Sequence, residues 1–272
     1  MPIDVLQYEG KRVIVTGAAS GMGAATKNRL EADGHTVIGV DVRDAEATFD
    51  LGTPDGRTNA IEAIYQHADG AIDGIVTFAG LAGTTTRPGS TVASVNYFGT
   101  VALLEGLRPA LAAARGKQPA AGAISSNSST VQPGLPSSLV EACLEGDEEE
   151  ARRLGDELGA PVAYPSSKLG VARWVRRHAP QEAWAGAGIT LNAIAPGYIE
   201  TPMTAEIRRD ETIGPLLDKF PIPVGRGGRP EEIAALVAFL LGPEARYLCG
   251  SVVLADGGSE ALLRPDHWPA SW

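Results

Sequence analysis

Lys11-Arg-Val-Ile-Val-Thr16-Gly17-Ala-Ala-Ser20-Gly21-Met22-Gly23, leading into Ala24–Asp33, is the stretch that decides the architecture. A charged lead-in followed by a β-branched run predicts a short, buried parallel strand over Lys11–Thr16. Three glycines follow at once, and Ala24–Asp33 then carries helical character. A strand that feeds a glycine-rich turn into a helix N-terminus forms a cradle for a phosphate. Glycine lets the backbone come close, and the free amides and helix dipole face the anion. Gly17, Ser20, Gly21, Met22 and Gly23 are therefore candidate cofactor-binding residues. Their spacing is T-G-x-x-x-G-x-G, not the G-x-G-x-x-G of the usual dinucleotide fingerprint.

Outward from that turn, strands and helices alternate. Thr36–Val40 reads as the next strand and ends in Asp41, 24 residues after Gly17. An acid there can accept hydrogen bonds from ribose hydroxyls, and it repels a 2′-phosphate. Arg43 lies close enough to serve a phosphate instead, but the balance favours NAD. Asp50-Leu51 suits either the flank of an adenine or a cap before Pro54. Ile72–Phe78 reads as a strand running into Ala79-Gly80, whose small residues let the backbone pass beside a cofactor. Thr91–Leu107 reads as one long helix containing Asn96, and Ala120–Ser125 as a strand delivering Ser126. Ile189–Ile194 leads into Pro196-Gly197, Pro230–Leu241 is a helix with proline in its first turn, and Ser251–Leu254 is the last strand. This order predicts an α/β fold: a single-domain, Rossmann-type, doubly wound parallel sheet with helices on both faces, spanning residues 1–272.

Composition narrows the function. The 272 residues carry 44% hydrophobic and 21% charged side chains, as ordinary globular proteins do. A formal net charge of −10 and the lack of a basic cluster argue against a nucleic-acid binder. No segment resembles a membrane span, and two cysteines do not make a disulfide framework, so a cytoplasmic protein without a membrane partner is expected. His35, His67, His178 and His267 form no spaced ligand pair, and no metal is expected.

Tyr164-Pro-Ser-Ser-Lys168 places a phenol and an ammonium four residues apart, on one face if the segment is helical. A free phenol, with a pKa of about 10, is a poor base at neutral pH. A fixed cation nearby favours the phenolate and makes it a useful proton acceptor.

Together these markers resemble the short-chain dehydrogenase/reductase family over nearly the whole chain. They are Thr16–Gly23, Asp41, Ala79-Gly80, Asn96, Ser126, Tyr164 with Lys168, Pro196-Gly197 and Asp256-Gly257-Gly258. Within the family, Asp41–Glu46, Ser94–Gly99 and the long segment before Tyr164 are similar to the bacterial 3α-hydroxysteroid dehydrogenase/carbonyl reductase group. Thr77-Phe78 departs from the Asn-Asn that many members carry before Ala-Gly. The resemblance implies Tyr164 as general acid/base. It implies Lys168 as the group that lowers the tyrosine pKa and holds the nicotinamide ribose. Ser126 would stabilise the reacting oxygen, and Asn96 would hold a water that relays protons from Lys168. Thr201 would bind the carboxamide, with Pro196, Gly197 and Ile199 beside it. Ser20, where members that prefer NADP often carry a basic residue, agrees with NAD. Ser125 rivals Ser126, but neighbouring strand residues face opposite ways, and family position selects Ser126.

Between Ser126 and Tyr164 lie 37 residues, more than most members have. The extra stretch, residues 133–161, carries apolar residues at helical spacing and is split by Gly146, which predicts two short amphipathic helices. It is expected to form part of the substrate pocket and to limit how subunits meet. Residues 202–222 are expected to form a lid. The implied substrate is a hydrophobic, ring-bearing secondary alcohol or its ketone, a 3-hydroxysteroid first, with a terpenoid or aryl alcohol next. A non-catalytic NAD-sensing module is the alternative of another class. A homo-oligomer, dimer or tetramer, is expected, and Trp268 and Trp272 are candidates for packing on a neighbouring subunit.

Overall fold

The computed structural model describes residues 10–267; Trp268 and Trp272 lie outside them. Among the described residues, seven parallel strands form one sheet in the order β3-β2-β1-β4-β5-β6-β7. They are β1 (Arg12–Thr16), β2 (Thr36–Asp41), β3 (Ala47–Thr48), β4 (Gly74–Thr77), β5 (Ala120–Ile124), β6 (Thr190–Pro196) and β7 (Val252–Ala255). The order reverses between β1 and β4, where open α/β sheets leave a crevice at the strand carboxyl ends.

Alternation along each strand divides the core. Ile14 and Ile75 face helices α2 (Pro54–His67), α4 (Thr100–Ala113) and α8 (Ala160–His178), joining Ile64, Leu103, Leu107 and Trp174. Val13, Val15 and Val76 turn the other way, onto α1 (Gly21–Ala32) and α11 (Pro230–Leu241) through Leu30, Ile233 and Val237. The predicted architecture, a doubly wound parallel sheet covered on both faces, is the one observed.

Two elements differ from expectation. The run Thr91–Leu107 is not one helix: α3 (Gly89–Ala93) passes into a π-helical segment, Ser94–Gly99, before α4 begins. A π turn inserts one residue into helical spacing, so the apolar periodicity carries through it almost unbroken. The edge strand β3 was not expected, because its two residues are too short to show a pattern.

The inserted segment forms the expected two helices, α6 (Ser137–Glu145) and α7 (Glu148–Leu158). Gly146 ends the first in the left-handed region at φ 78°, and the Asp147 carboxylate caps the second by accepting from the Glu150 N–H at 3.0 Å. Their buried face packs on the protein itself. Leu139, Val140 and Cys143 are 0–1% exposed, and Cys143 lies against α8, its Cβ 3.4 Å from where a Gly170 side chain would start. α7 abuts the start of α3 so closely that a Cβ on Gly89 would sit 1.9 Å from the Gly155 carbonyl oxygen. Three polar ties reinforce this seat: Ser90 N–H to Asp156 Oδ1 at 2.8 Å, Arg152 Nη1 to Ser94 Oγ at 2.7 Å, and Arg57 Nη2 to Glu148 Oε2 at 2.6 Å.

Candidate active site

At the carboxyl end of β1, Gly17 adopts φ 66° and Gly21 φ 54°, conformations that L side chains resist. A Cβ on Gly23 would stand 2.1 Å from the Gly17 carbonyl oxygen, so the turn closes only with glycine there. Gly17 also presses on the end of β4: its Cβ would meet the Ala79 nitrogen at 2.8 Å. The helix begins at Gly21 rather than Ala24, and Ser20 flanks it without capping it through its side chain. The first-turn amides of α1 are thus left for an anion.

Asp41, at the end of β2, accepts from the Ala19 N–H at 3.0 Å and the Val42 N–H at 2.7 Å, fixing its carboxylate beside the glycine turn. The Asp50 carboxylate accepts from the Gly52 N–H at 2.8 Å, and Thr53, not Asp50, caps α2. Leu51 is 4% exposed and packs in the core, so only its main chain can meet a ligand. Glycines, Asp41 and the β4 end form a connected cradle that fits a dinucleotide.

Beside this cradle lies a cavity of about 400 Å³. Met22, Gly80, Ser126, Tyr164, Lys168, Pro196, Gly197, Ile199 and Thr201 all reach it, so half of the predicted site residues converge there. α8 begins at Ala160 and carries Tyr164 and Lys168 one turn apart, with Pro165 inside the helix between them. The Ser126 hydroxyl adjoins the Tyr164 phenol and favours its ionised form. Ser126 Oγ accepts from Ser128 Oγ at 2.9 Å and from the Ser128 N–H at 3.2 Å. Ser125 faces the other way, its Oγ donating to the Lys168 carbonyl at 2.8 Å.

Lys168 is 4% exposed and donates from Nζ to the Ile124 carbonyl at 2.8 Å. Burial lowers its pKa to about 8. Burial also pushes the Tyr164 phenol above its ordinary value, opposed by the neighbouring Ser126. Desolvation penalises the charged form of each side chain.

Asn96 is held by two side-chain hydrogen bonds. It lies in the π-helical segment, where its Oδ1 accepts from the Leu81 N–H at 2.7 Å and its Nδ2 donates to the Leu81 carbonyl at 3.1 Å. Its side chain clamps the loop after β4. That clamp brings Gly80 against Lys168: a Cβ on Gly80 would be 3.1 Å from Asn96 Oδ1 and 3.6 Å from Lys168 Nζ. Phe78, in place of the family's asparagine, is 8% exposed and forms one wall of the cavity.

Much of the rest of the wall is apolar. Met203 and Ile207 come from α9 (Pro202–Arg209), and Leu216 and Leu217 from α10 (Gly214–Leu217), with Ile213 and Phe220 flanking α10. Thr201 caps α9 through Oγ1, accepting from the Thr204 N–H at 3.3 Å. Residues 133–161 contribute nothing to this lining. Their apolar face is taken up by α8 and their backbone by α3. Sequence reading missed Ser128, Val131, Gln132 and Tyr198, which also line the cavity. Ser128 follows Ser126 in a short helix, α5 (Ser128–Val131), and only its position after β5 could have signalled it.

Among the described residues, no helix is long and apolar enough to cross a membrane. Residues 153–260 match the family described as enoyl-(acyl carrier protein) reductase. The chain is 41% identical over 259 residues to the 3-alpha-hydroxysteroid dehydrogenase/carbonyl reductase of Comamonas testosteroni, covering 94% of this chain and 99% of that protein. It is 30% identical over 280 residues to the coniferyl-alcohol dehydrogenase of a Pseudomonas species, covering 93% and 98%. The crystal structure of the 3-alpha-hydroxysteroid dehydrogenase from Pseudomonas sp. B-0831, complexed with NADH, superposes with a TM-score of 0.89 at 43% identity, covering 94% of this chain and all of that one.

Proposed function

The chain belongs to the short-chain dehydrogenase/reductase family of oxidoreductases, and from that premise we propose that it interconverts a cyclic, hydrophobic secondary alcohol and its ketone with NAD as hydride carrier. A 3-hydroxysteroid is the leading substrate. The observation that carries this reading is the convergence of Ser126, Tyr164 and Lys168 on the wall of one largely apolar cavity.

When bound, the nicotinamide supplies the hydride acceptor or donor. The chain's own residues do the rest. The glycine turn and α1 N-terminus hold the pyrophosphate, and Asp41 takes the ribose hydroxyls and turns away a 2′-phosphate. Ser126 Oγ donates to the substrate oxygen and stabilises the charge that builds there. Tyr164 Oη receives the alcohol proton during oxidation and returns it during reduction. Lys168 holds the nicotinamide ribose and carries a positive charge toward the phenol. Phe78, Met203, Ile207 and Leu217 exclude water and cover an apolar ring system. The coniferyl-alcohol dehydrogenase relative supports an aryl alcohol as the second reading.

The lid role of residues 202–222 belongs to this reading, as does self-association. The edge strand β7 and α11 leave Leu254 40% and Phe239 44% exposed, while the insertion covers α8. This favours a dimer through β7 and α11. The deciding experiment follows NADH formation with a 3-hydroxysteroid, a cyclic terpenoid, an aryl alcohol and a short-chain alcohol. The steroid is expected to give the highest kcat/KM. Tight NAD binding without turnover on any of them would favour the NAD-sensing alternative.

A further inference from the structure

Asp210 follows α9 and is 8% exposed. Its Oδ1 accepts from the N–H groups of Thr212 and Ile213, both at 3.0 Å. Its Oδ2 accepts from the Thr85 N–H at 2.6 Å and from Thr85 Oγ1 at 2.7 Å. One carboxylate thus receives two bonds from the bend between α9 and α10, and two from a segment 125 positions away. The Thr85 bonds, side chain first, hold its pKa down at about 2, so it is ionised throughout the neutral range. A second tie joins the same two segments, Arg87 Nη2 to Glu206 Oε1 at 2.7 Å.

Both partners of this contact lead to the cavity. On the lid side, Ile207 and Ile213 bracket Asp210 and line the wall. On the other side, Thr85 lies in the loop that starts at the cavity-lining Gly80 and ends at Gly89, where the backbone is seated on Gly155. The loop is therefore held at both ends, by the Asn96 clamp on Leu81 and by the insertion at Gly89 and Ser90.

We propose that Asp210 is a positioning residue for substrate selection, latching the lid to Thr85 so that its apolar side chains stand at a fixed distance from Ser126 and Tyr164. This rests on the reading of the site as one for a bulky apolar alcohol. The chemistry suits a latch. Bonds to an ionised acceptor are the stronger ones, and four of them converge here with little solvent to replace any that is lost. A released lid loses apolar contact with a large substrate, whereas a small alcohol held only at Ser126 and Tyr164 does not depend on it. The insertion then acts on substrate choice from a distance, by supporting the loop that carries Thr85.

The test uses the full chain with Asp210→Ala, Asp210→Asn and Thr85→Val, each compared with the unmodified protein by thermal unfolding. Three quantities are read: KM and kcat for a 3-hydroxysteroid, the same for cyclohexanol, and amide hydrogen exchange across residues 202–222. Asp210→Ala is expected to raise the steroid KM by about tenfold or more, leave cyclohexanol kcat/KM within about twofold, and speed exchange in the lid. Thr85→Val, which keeps the main-chain donor, is expected to give a smaller effect in the same direction. Unchanged lid exchange and an unchanged steroid-to-cyclohexanol ratio in folded Asp210→Ala overturn the latch, as does an equal loss on both substrates. If Asp210→Ala does not fold, Thr85→Val and Asp210→Asn decide by the same readouts. If the unmodified protein oxidises no bulky alcohol, the substrate reading fails, and lid exchange alone then judges the latch.

Discussion

Ser125 Oγ is bonded to the Lys168 carbonyl at 2.8 Å, tying the end of β5 to the helix that carries the tyrosine. Two adjacent serines therefore differ in setting, one bonded to the helix and the other lining the cavity beside Tyr164. Ser126→Ala is expected to lower kcat by roughly 100- to 1,000-fold with little change in stability. Ser125→Ala is expected to cost about 1 kcal/mol of stability and to lower turnover far less. Steady-state kinetics and urea unfolding on both variants check the expected difference, and equal kinetic losses would contradict it.

Tyr164→Phe removes the proposed proton acceptor and leaves the glycine cradle untouched. Turnover should fall by roughly 100- to 10,000-fold while NAD binding persists. Cofactor titration by fluorescence beside the turnover assay makes the comparison. Near-normal turnover in a folded variant would make the tyrosine structural.

Asp41 should set cofactor choice. NAD is expected to be preferred over NADP by at least about 100-fold in kcat/KM, a difference of some 2.7 kcal/mol. Asp41→Ala removes the carboxylate and the acceptor of the Ala19 N–H, so the gap should narrow. Equal efficiency with both cofactors in the unmodified enzyme would refute the assignment.

Burial raises the Tyr164 phenol, so it is protonated and ready as an acid at neutral pH. Alcohol oxidation needs the phenolate, so its rate should climb from pH 7 to 9 (about two units), while ketone reduction should fall over the same range. Lys168, lowered from 10.5 to about 8, binds fewer protons folded than unfolded between those values. Its contribution to stability therefore increases as pH rises through that window. Lys168→Met should flatten this part of the stability curve, measured as the difference between the two proteins in urea.

Leu254 on β7 should lie in the subunit contact. Leu254→Arg puts a charge where an apolar edge would be covered, and the mass by light scattering should fall to that of a monomer. An unchanged mass would move the contact elsewhere.

The fold was legible because its signals are local. The β-branched run of β1, the glycines that only one backbone path permits, and the four-residue spacing of Tyr164 and Lys168 need no tertiary information. The π-helical turn at Asn96 was not legible, since one added residue barely disturbs helical periodicity. Nor was the seat of the insertion: leucines at helical spacing say that a face must be buried, not what it meets. The Lys168 environment and the Thr85–Asp210 contact depend on residues far apart in the chain, where no local pattern exists.

The backbone contact between Gly89 and Gly155 makes the inserted helices a poor exchangeable cassette. Excising residues 136–160 would strip the cover from Gly89 and leave the Ser90 N–H and the largely buried Arg57 without their carboxylates. A chimaera that borrows this segment needs to borrow α3 and the loop before it as well. For an engineer, the unit of transplantation is the pair of facing backbones, not the extra stretch between Ser126 and Tyr164.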